Sequence, residues 1–301
     1  MPILWTAVLA GAVILGHRLV PNAVGNAGSL IEAFLPWFGL AVPVLLLLAL
    51  MRRSLTGLAA VLLPLGAWLI HFGGYVVDRD TGTPDLIVVQ HNVSDENPDP
   101  AGTARALLAA HPDLVGLEEV LPEAVAAYRG VLDAELPFHT VQGTVALWSR
   151  YPLTGAEAID IRPHDLGEDW NRGLRAVART PGGDTAVYVA HLPSVRVTAA
   201  GLTSARRDES ARKLGALLAA DPVPRLVVIG DLNTSVDDRG LRPIRQVMID
   251  SPADFAFTWP ARTPVARIDQ VLARSMTVTR LTALPRTGSD HLPLAAEIRF
   301  P

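Results

Sequence analysis

Several polar residues stand at the ends of apolar runs in this chain. Asn92 closes LIVVQHN, Glu119 closes DLVGLEE and His191 follows DTAVYVA. Asp231 and Asn233 follow RLVVIG, Asp269 sits in RIDQVLA, and Asp290 and His291 precede LPLAAEIRF. Buried strands that end in carboxylates, amides and imidazoles build a polar site along one rim of a sheet. Carboxylate and amide oxygens suit a hard cation such as Mg²⁺, bound by one or two carboxylates together with water and substrate phosphate. The chain has no cysteine, and only two histidines stand where they could be ligands, which argues against a zinc cage. A carboxylate such as Asp231 could take a proton from water behind a phosphorus atom, while a cation and imidazoles stabilise charge on the phosphoryl oxygens.

The elements that must position these residues can be read from the runs themselves. Residues 86–92, 113–119, 144–150, 174–180, 184–192, 225–233, 267–273 and 294–300 read as strands, with a hairpin around Pro181-Gly182-Gly183. Residues 102–111 and 203–220 read as helices, each followed by a proline just beyond. Strands adjoining both helices and hairpins suggest a mixed α/β sandwich and not a simple alternation of strand and helix. Arg172 and Arg175 fit equally well as a phosphate clamp or as strand-face charges. Asp113, Glu123, Asp221, Asp237 and Asp238 read as helix-end, surface or turn residues, and His139 and His164 as packing or surface histidines.

Taken in order, QHN (90–92), LEE (117–119), HLP (191–193), GDLN (230–233), RID (267–269) and GSDH (288–291) resemble the motifs of the endonuclease/exonuclease/phosphatase superfamily. GTVALWSRYPL (143–153) and FTWP (257–260) resemble its intervening signatures, so the resemblance spans nearly all of residues 85–300. It implies a four-layer αββα sandwich of two mixed sheets packed face to face, and hydrolysis of phosphate esters with Mg²⁺ or Mn²⁺. It also implies roles: Asn92 and Glu119 as metal ligands, with Asp290 a further metal-side carboxylate; Asp231 and Asn233 orienting water and phosphate; Asp269 holding the His291 imidazole; and His191 contacting phosphate. Glu118 stands where the family has glutamine, which implies either tighter metal binding or a side chain turned away. Ser94 stands where the family's nucleases often carry an acid, which counts against a nuclease.

The front of the chain is different in kind. Half of the 301 residues are hydrophobic, and the excess lies in residues 1–77, whose only charged side chains are Arg18, Glu32, Arg52 and Arg53. Residues 33–51 and 54–77 are free of Asp, Glu, Lys and Arg, and each is long enough to cross a bilayer. Residues 1–16 are apolar with no basic residue before them, unlike a signal peptide. The expectation is therefore a three-helix membrane domain over 1–77, a linker over 78–84 and a catalytic domain over 85–301. Beyond residue 77 the chain carries 23 basic and 29 acidic residues, a net of −6, which lacks the basic footprint of a general nucleic-acid binder.

Three spans followed by AHLPSVR (190–196), RRDESA (206–211), GDLNTSVDDRGL (230–241) and FTWPARTPVARID (257–269) resemble the VanJ-type membrane proteins of actinobacteria. That resemblance implies glycopeptide resistance and action outside the membrane on a cell-wall lipid carrier such as undecaprenyl pyrophosphate. The competing expectations are an extracytoplasmic nuclease or phosphodiesterase, and an inactive lipid- or antibiotic-binding protein. Arg52 and Arg53, between two long spans, place that loop in the cytoplasm and everything after residue 77 outside. A reporter active only in the cytoplasm, fused after Pro301, should be silent; a bright signal would invert the topology.

Overall fold

The computed structural model describes residues 1–77, 82–248 and 254–301, so the expected linker over 78–84 lies largely outside the described residues. The chain forms two compact units. One comprises the N-terminal segment joined by Arg196–Thr203 and Asp237–Arg239, and the other the remainder.

The first unit contains helices α1 (Pro2–Gly16), α2 (Ala27–Ala33), α3 (Ala41–Met51) and α4 (Leu55–Phe72). Ile3 and Ala7 of α1, Leu45 and Ala49 of α3, and Ala60 and Val61 of α4 form its core. Two helical stretches, Pro2–Leu19 and Leu55–Tyr75, are long and apolar enough to cross a membrane. The expected second span is not one straight helix: Ala27–Ala33 meets Leu35–Met51 at 71°. Pro36 accounts for the break: it supplies no N–H to the preceding turn and stands in the first turn of the next helical stretch, where that N–H is not needed. Among the described residues two helices are thus long and apolar enough to cross a membrane, or three if the bent pair counts as one.

The sequence gives Glu32 the look of a loop charge, yet it is buried. Arg239 surrounds it: the guanidinium donates to Glu32 Oε1 at 2.7 Å and to Oε2 at 2.9 Å, and the Arg239 backbone N–H donates to Oε2 at 2.9 Å. The same guanidinium also donates to the carbonyl oxygens of Val20 and His17. Nearby, the hairpin of β8 (Arg196–Thr198) and β9 (Gly201–Thr203) is pinned by the Asn26 amide donating to the Leu202 carbonyl at 2.7 Å.

The second unit is a sandwich of two mixed sheets. Its strands are β1 (Leu86–Asn92), β2 (Leu114–Glu118), β3 (Phe138–Gln142), β4 (Val145–Ser149), β5 (Leu153–Ala158), β6 (Gly173–Thr180), β7 (Gly183–Ala190), β10 (Arg225–Asp231), β11 (Asp269–Arg274), β12 (Thr277–Ala283) and β13 (Leu294–Arg299). One sheet has the order β12-β13-β1-β2-β4-β3 and the other β11-β10-β7-β6-β5. Each contains one parallel pair, β1 with β2 and β7 with β10, among antiparallel neighbours. Helices α5 (Pro100–Leu108) and α6 (Val125–Leu132) pack on the outside of the first sheet, and α7 (Ala205–Ala220) and α8 (Arg242–Arg245) on the outside of the second. These are the four layers implied by the resemblance.

Strand alternation sorts the residues. Leu86 and Val88, Leu114, Val187 and Val189, Val227 and Ile229, and Val271 and Ala273 face inward and fill the space between the sheets. Val89, Val115 and Leu117 face α5 and α6, while Ala186, Tyr188, Leu226 and Val228 face α7 and α8. Gly116 lets the sheets close: a Cβ there would meet the Ile229 side chain at 2.5 Å. Arg239→Ala should cost about 3–5 kcal/mol, because it takes the guanidinium from the buried Glu32 carboxylate. Glu32→Ala should cost less, because Arg239 is part-exposed and keeps the Val20 and His17 carbonyls. In the full chain in detergent Arg239→Ala should melt well below the parent, and the double replacement by methionine should recover most of the loss.

Candidate active site

Continuing the inward alternation by one or two residues converts the apolar core into a polar one. Gln90 and Asn92 follow Val88 on β1, Glu118 follows Gly116 on β2, and His191 follows Val189 past the end of β7. Asp231 follows Ile229 on β10, and Asp269 precedes Val271 on β11. Register brings them level, with Asn92 opposite Glu118 and Asp231 opposite Asp269. Gly230 makes the last step of β10 possible: at φ +156° a Cβ would lie 1.9 Å from the Ala190 carbonyl oxygen. Glu119 (φ +60°) and Asn233 (φ +53°) adopt left-handed backbone, which takes each out of the strand pattern at the rim. Non-glycine residues in that region cluster at functional sites.

At the centre, His291 Nδ1 and Asp269 Oδ2 are 2.9 Å apart, and Thr258 Oγ1 donates to the same oxygen at 2.5 Å. Gln90 Nε2 donates to Asp269 Oδ1 at 2.9 Å. His291 Nε2 points towards Asp231 Oδ2 at 3.8 Å. One ligand atom from each of Asp231, Asp269 and His291 can be chosen so that all three lie within 4.8 Å of one another. The Asn92 amide donates to Asp231 Oδ2 at 3.1 Å and Glu119 Oε1 at 3.2 Å. Asp231 Oδ1 accepts the Asn233 backbone N–H at 2.9 Å, and the Asn233 amide donates to the Leu192 carbonyl at 2.8 Å. Ser289 fixes the last loop by donating to the Asn92 carbonyl while accepting the His291 N–H.

The electrostatics divide the groups. Burial raises the Asp231 carboxyl above its ordinary value, against the pull of His291. For His291 burial acts downward, but Asp269 and Asp231 outweigh it and hold the imidazole up at about 10. Burial would raise Asp269, yet His291 and its three hydrogen-bond donors keep it low. His191 is pushed down to about 3 by burial and by Arg172. The Arg172 guanidinium lies 3.3 Å from His191 Nδ1, so that nitrogen accepts and Nε2 carries the proton. His191 Nε2 is buried without a hydrogen-bond partner, 3.7 Å from Asp231 and 3.8 Å from Glu119. A donor held there suits a phosphoryl oxygen.

The structure thus gathers Asn92, Glu119, His191, Asp231, Asn233, Asp269 and His291, with Arg172 behind His191. Asp290 is next in sequence to His291, but its side chain is exposed. Arg175 is not part of the group. Alternation turns it to the opposite face of β6, where it donates twice to Asp221, at 2.6 and 3.1 Å, beside Tyr188. Glu118 does not turn away: it is buried beneath the site, and burial together with Asp269 and Asp231 raises its carboxyl well above the ordinary range. Sequence reasoning missed Gln90, Thr258 and Ser289. All three lie inside the quoted motifs QHN, FTWP and GSDH, so the signal was proximity to a motif without a chemistry of its own. Beside Glu119, a cleft of about 260 Å³ is lined by Val93, Ser94, Asp95, Leu121, Glu123 and Tyr128, among others.

Residues 89–291 match the sequence signature of the endonuclease/exonuclease/phosphatase family. No curated protein matches the chain in sequence. Among solved structures, a mutant beta toxin from Staphylococcus aureus with bound magnesium ions is similar, with TM-score 0.56 and 15% identity over 71% of this chain and 99% of that one. Sphingomyelinase C from Streptomyces griseocarneus gives TM-score 0.53 and 20% identity over 71% and 99%. TDP2 from D. rerio, complexed with a single-strand DNA product, gives TM-score 0.57 and 17% identity over 71% and 98%. At these identities the likeness is one of fold.

The His291–Asp269 pair makes stability depend on pH. A histidine raised from 6.5 to about 10 contributes its full stabilisation below about 6.5 and loses it as pH rises through about 10. With chelator present, the melting midpoint should fall across that window, and Asp269→Asn should flatten the fall. An equal fall in the variant would assign it to other groups.

Proposed function

Since the chain belongs to the endonuclease/exonuclease/phosphatase family and is a metal-dependent phosphoester hydrolase, we propose that it cleaves a phosphate ester or anhydride of a membrane lipid at the outer face of the membrane. A lipid pyrophosphate such as undecaprenyl pyrophosphate is the substrate we favour. The observation that carries this reading is a phosphoesterase site in the same chain as helices long and apolar enough to cross a bilayer. The VanJ-type resemblance supports it and extends it to lipid-carrier recycling and glycopeptide resistance.

The donor set fits Mg²⁺ or Mn²⁺. Glu119 keeps 27% of its side chain exposed, the Asn92 amide lies beside it, and the buried His191 Nε2 faces the same space. Asn92 and Glu119 would hold the ion, and Asp290 would meet it from the adjoining loop. Bound there, the ion would supply Lewis-acid neutralisation of phosphoryl charge. The chain's own groups do the rest. Asp231, raised by burial, takes the proton of the attacking water as its oxygen bonds to phosphorus and the bond to the leaving oxygen breaks. Asn233, anchored to Leu192, holds the Asp231 loop in place. The His191 N–H and the His291 imidazolium donate to the phosphoryl oxygens, and Asp269 holds His291 in line. Arg172 keeps His191 in the tautomer that donates inward.

A nuclease reading draws on the likeness to TDP2, whose structure holds a DNA product. The net charge of −6 beyond residue 77 opposes it. With purified protein in detergent and Mg²⁺, phosphate release from undecaprenyl pyrophosphate should exceed cleavage of plasmid DNA. Asp231→Asn should lower turnover by about 10²–10⁴-fold with the fold intact. Glu119→Ala should raise the Mg²⁺ concentration for half-activity. DNA cleavage abolished by Asp231→Asn, with no phosphate released from the lipid, would sink the lipid reading and leave the nuclease.

A further inference from the structure

Gln90 occupies the inward position of β1 between Val88 and Asn92, and it has no exposed surface. Its Nε2 carries two hydrogens, and both are committed: one to Glu118 Oε2 at 2.7 Å, the other to Asp269 Oδ1 at 2.9 Å. The Asp269 carboxylate fixes which way the amide faces, since the amide oxygen would meet negative charge there. The Gln90 oxygen is buried without a hydrogen-bond partner, so the residue is held by its donors. Asp269 divides its oxygens accordingly. Oδ2 takes Thr258 and His291, and Oδ1 takes Gln90. A carboxylate gripped at both oxygens cannot rotate about its Cβ–Cγ bond, and His291 is bonded to one of those oxygens.

We infer that Gln90 is a positioning residue, whose forked amide sets the plane of the Asp269 carboxylate and through it the aim of the His291 ring. Through Glu118, the same nitrogen ties this acid–base half of the site to the strand that leads into Glu119. The two halves lie on different sheets, β1 and β2 on one and β11 on the other, so the fork is a cross-link between sheets at the floor of the site. Its catalytic consequence rests on the phosphoesterase reading above; its structural consequence for His291 does not.

The test uses the full chain in detergent with two variants. Gln90→Met removes both donors at similar volume. The exchange Gln90→Glu with Glu118→Gln keeps a donor–acceptor pair between β1 and β2 but takes the donor away from Asp269. Both should lower kcat on a soluble phosphodiester, bis(p-nitrophenyl) phosphate, by about 10–100-fold, the usual cost of losing an outer-shell partner at such sites. KM and the Mg²⁺ half-saturation should stay unchanged, and the exchange variant should melt near the parent. With ¹⁵N-labelled histidine and no substrate, the His291 ring resonances should move in both variants while those of His164 stay put. Parental turnover in the exchange variant, or unmoved His291 resonances in folded Gln90→Met, would overturn the inference. If neither variant folds, Gln90→Asn, too short to reach Asp269, is held to the same two outcomes. Should the parent hydrolyse no phosphoester at all, the functional reading fails, and the His291 resonances still decide the positioning claim.

Discussion

A carboxylate with no exposed surface needs hydrogen-bond donors on every side, and Asp269 draws them from three distant parts of the chain. Gln90 comes from the opposite sheet, Thr258 from the loop before β11, and His291 from the loop before β13. None can be lost without leaving part of a buried charge unanswered. The loop containing Thr258 and the loop containing Ser289 and His291 are therefore fixed by the same group that tunes the imidazole. Much of the remaining site is built around that anchor: His291 faces Asp231, Asp231 is bridged by Asn92 to Glu119, and His191 looks into the space between them.

The sandwich makes such an anchor possible because its core changes character along its length. Over most of the strands the inward positions are Val, Ile, Leu and Ala, packed between two sheets. At one end the same positions hold amides, carboxylates and an imidazole. Water is excluded on the apolar side, so charges there act on one another strongly. That is why neighbouring groups are displaced in opposite directions, Asp231 upward and Asp269 downward, while His291 stays charged. A base and a cation side by side follow from burial combined with partner choice.

Much of this was legible in the sequence, and the reasons are specific. Polar residues that interrupt Val- and Leu-rich runs at the inward phase of a strand can be recognised without a structure; Asn92, Asp231 and Asp269 are such cases. Phase also separates Arg172 from Arg175, but reading it requires knowing where β6 begins and which face the helices cover, so the sequence left both open. Glu118 was ambiguous for a related reason: its side chain keeps the strand phase and Glu119 breaks it, and that break is a backbone torsion. The middle apolar run is long enough for a span, and its length hid the bend that Pro36 imposes. Gln90 and Thr258 act only through Asp269, and partners joined across two sheets leave no local pattern. The short stretches Arg196–Thr203 and Asp237–Arg239 carry nothing in their composition to show that they join the N-terminal unit.

The Glu32–Arg239 pair has a consequence for the order of assembly. A ribosome releases residue 32 long before residue 239, and the two are 207 positions apart. Through that interval Glu32, the only acidic residue among the first 77, sits in an apolar segment without its guanidinium. The N-terminal helices can form early, but their unit cannot reach its final packing until most of the catalytic domain has been made. Assembly thus runs from the N-terminal unit to the sandwich and back again. A chain that stops short of Arg239 holds the Glu32 carboxylate without its guanidinium, in the segment that was translated first.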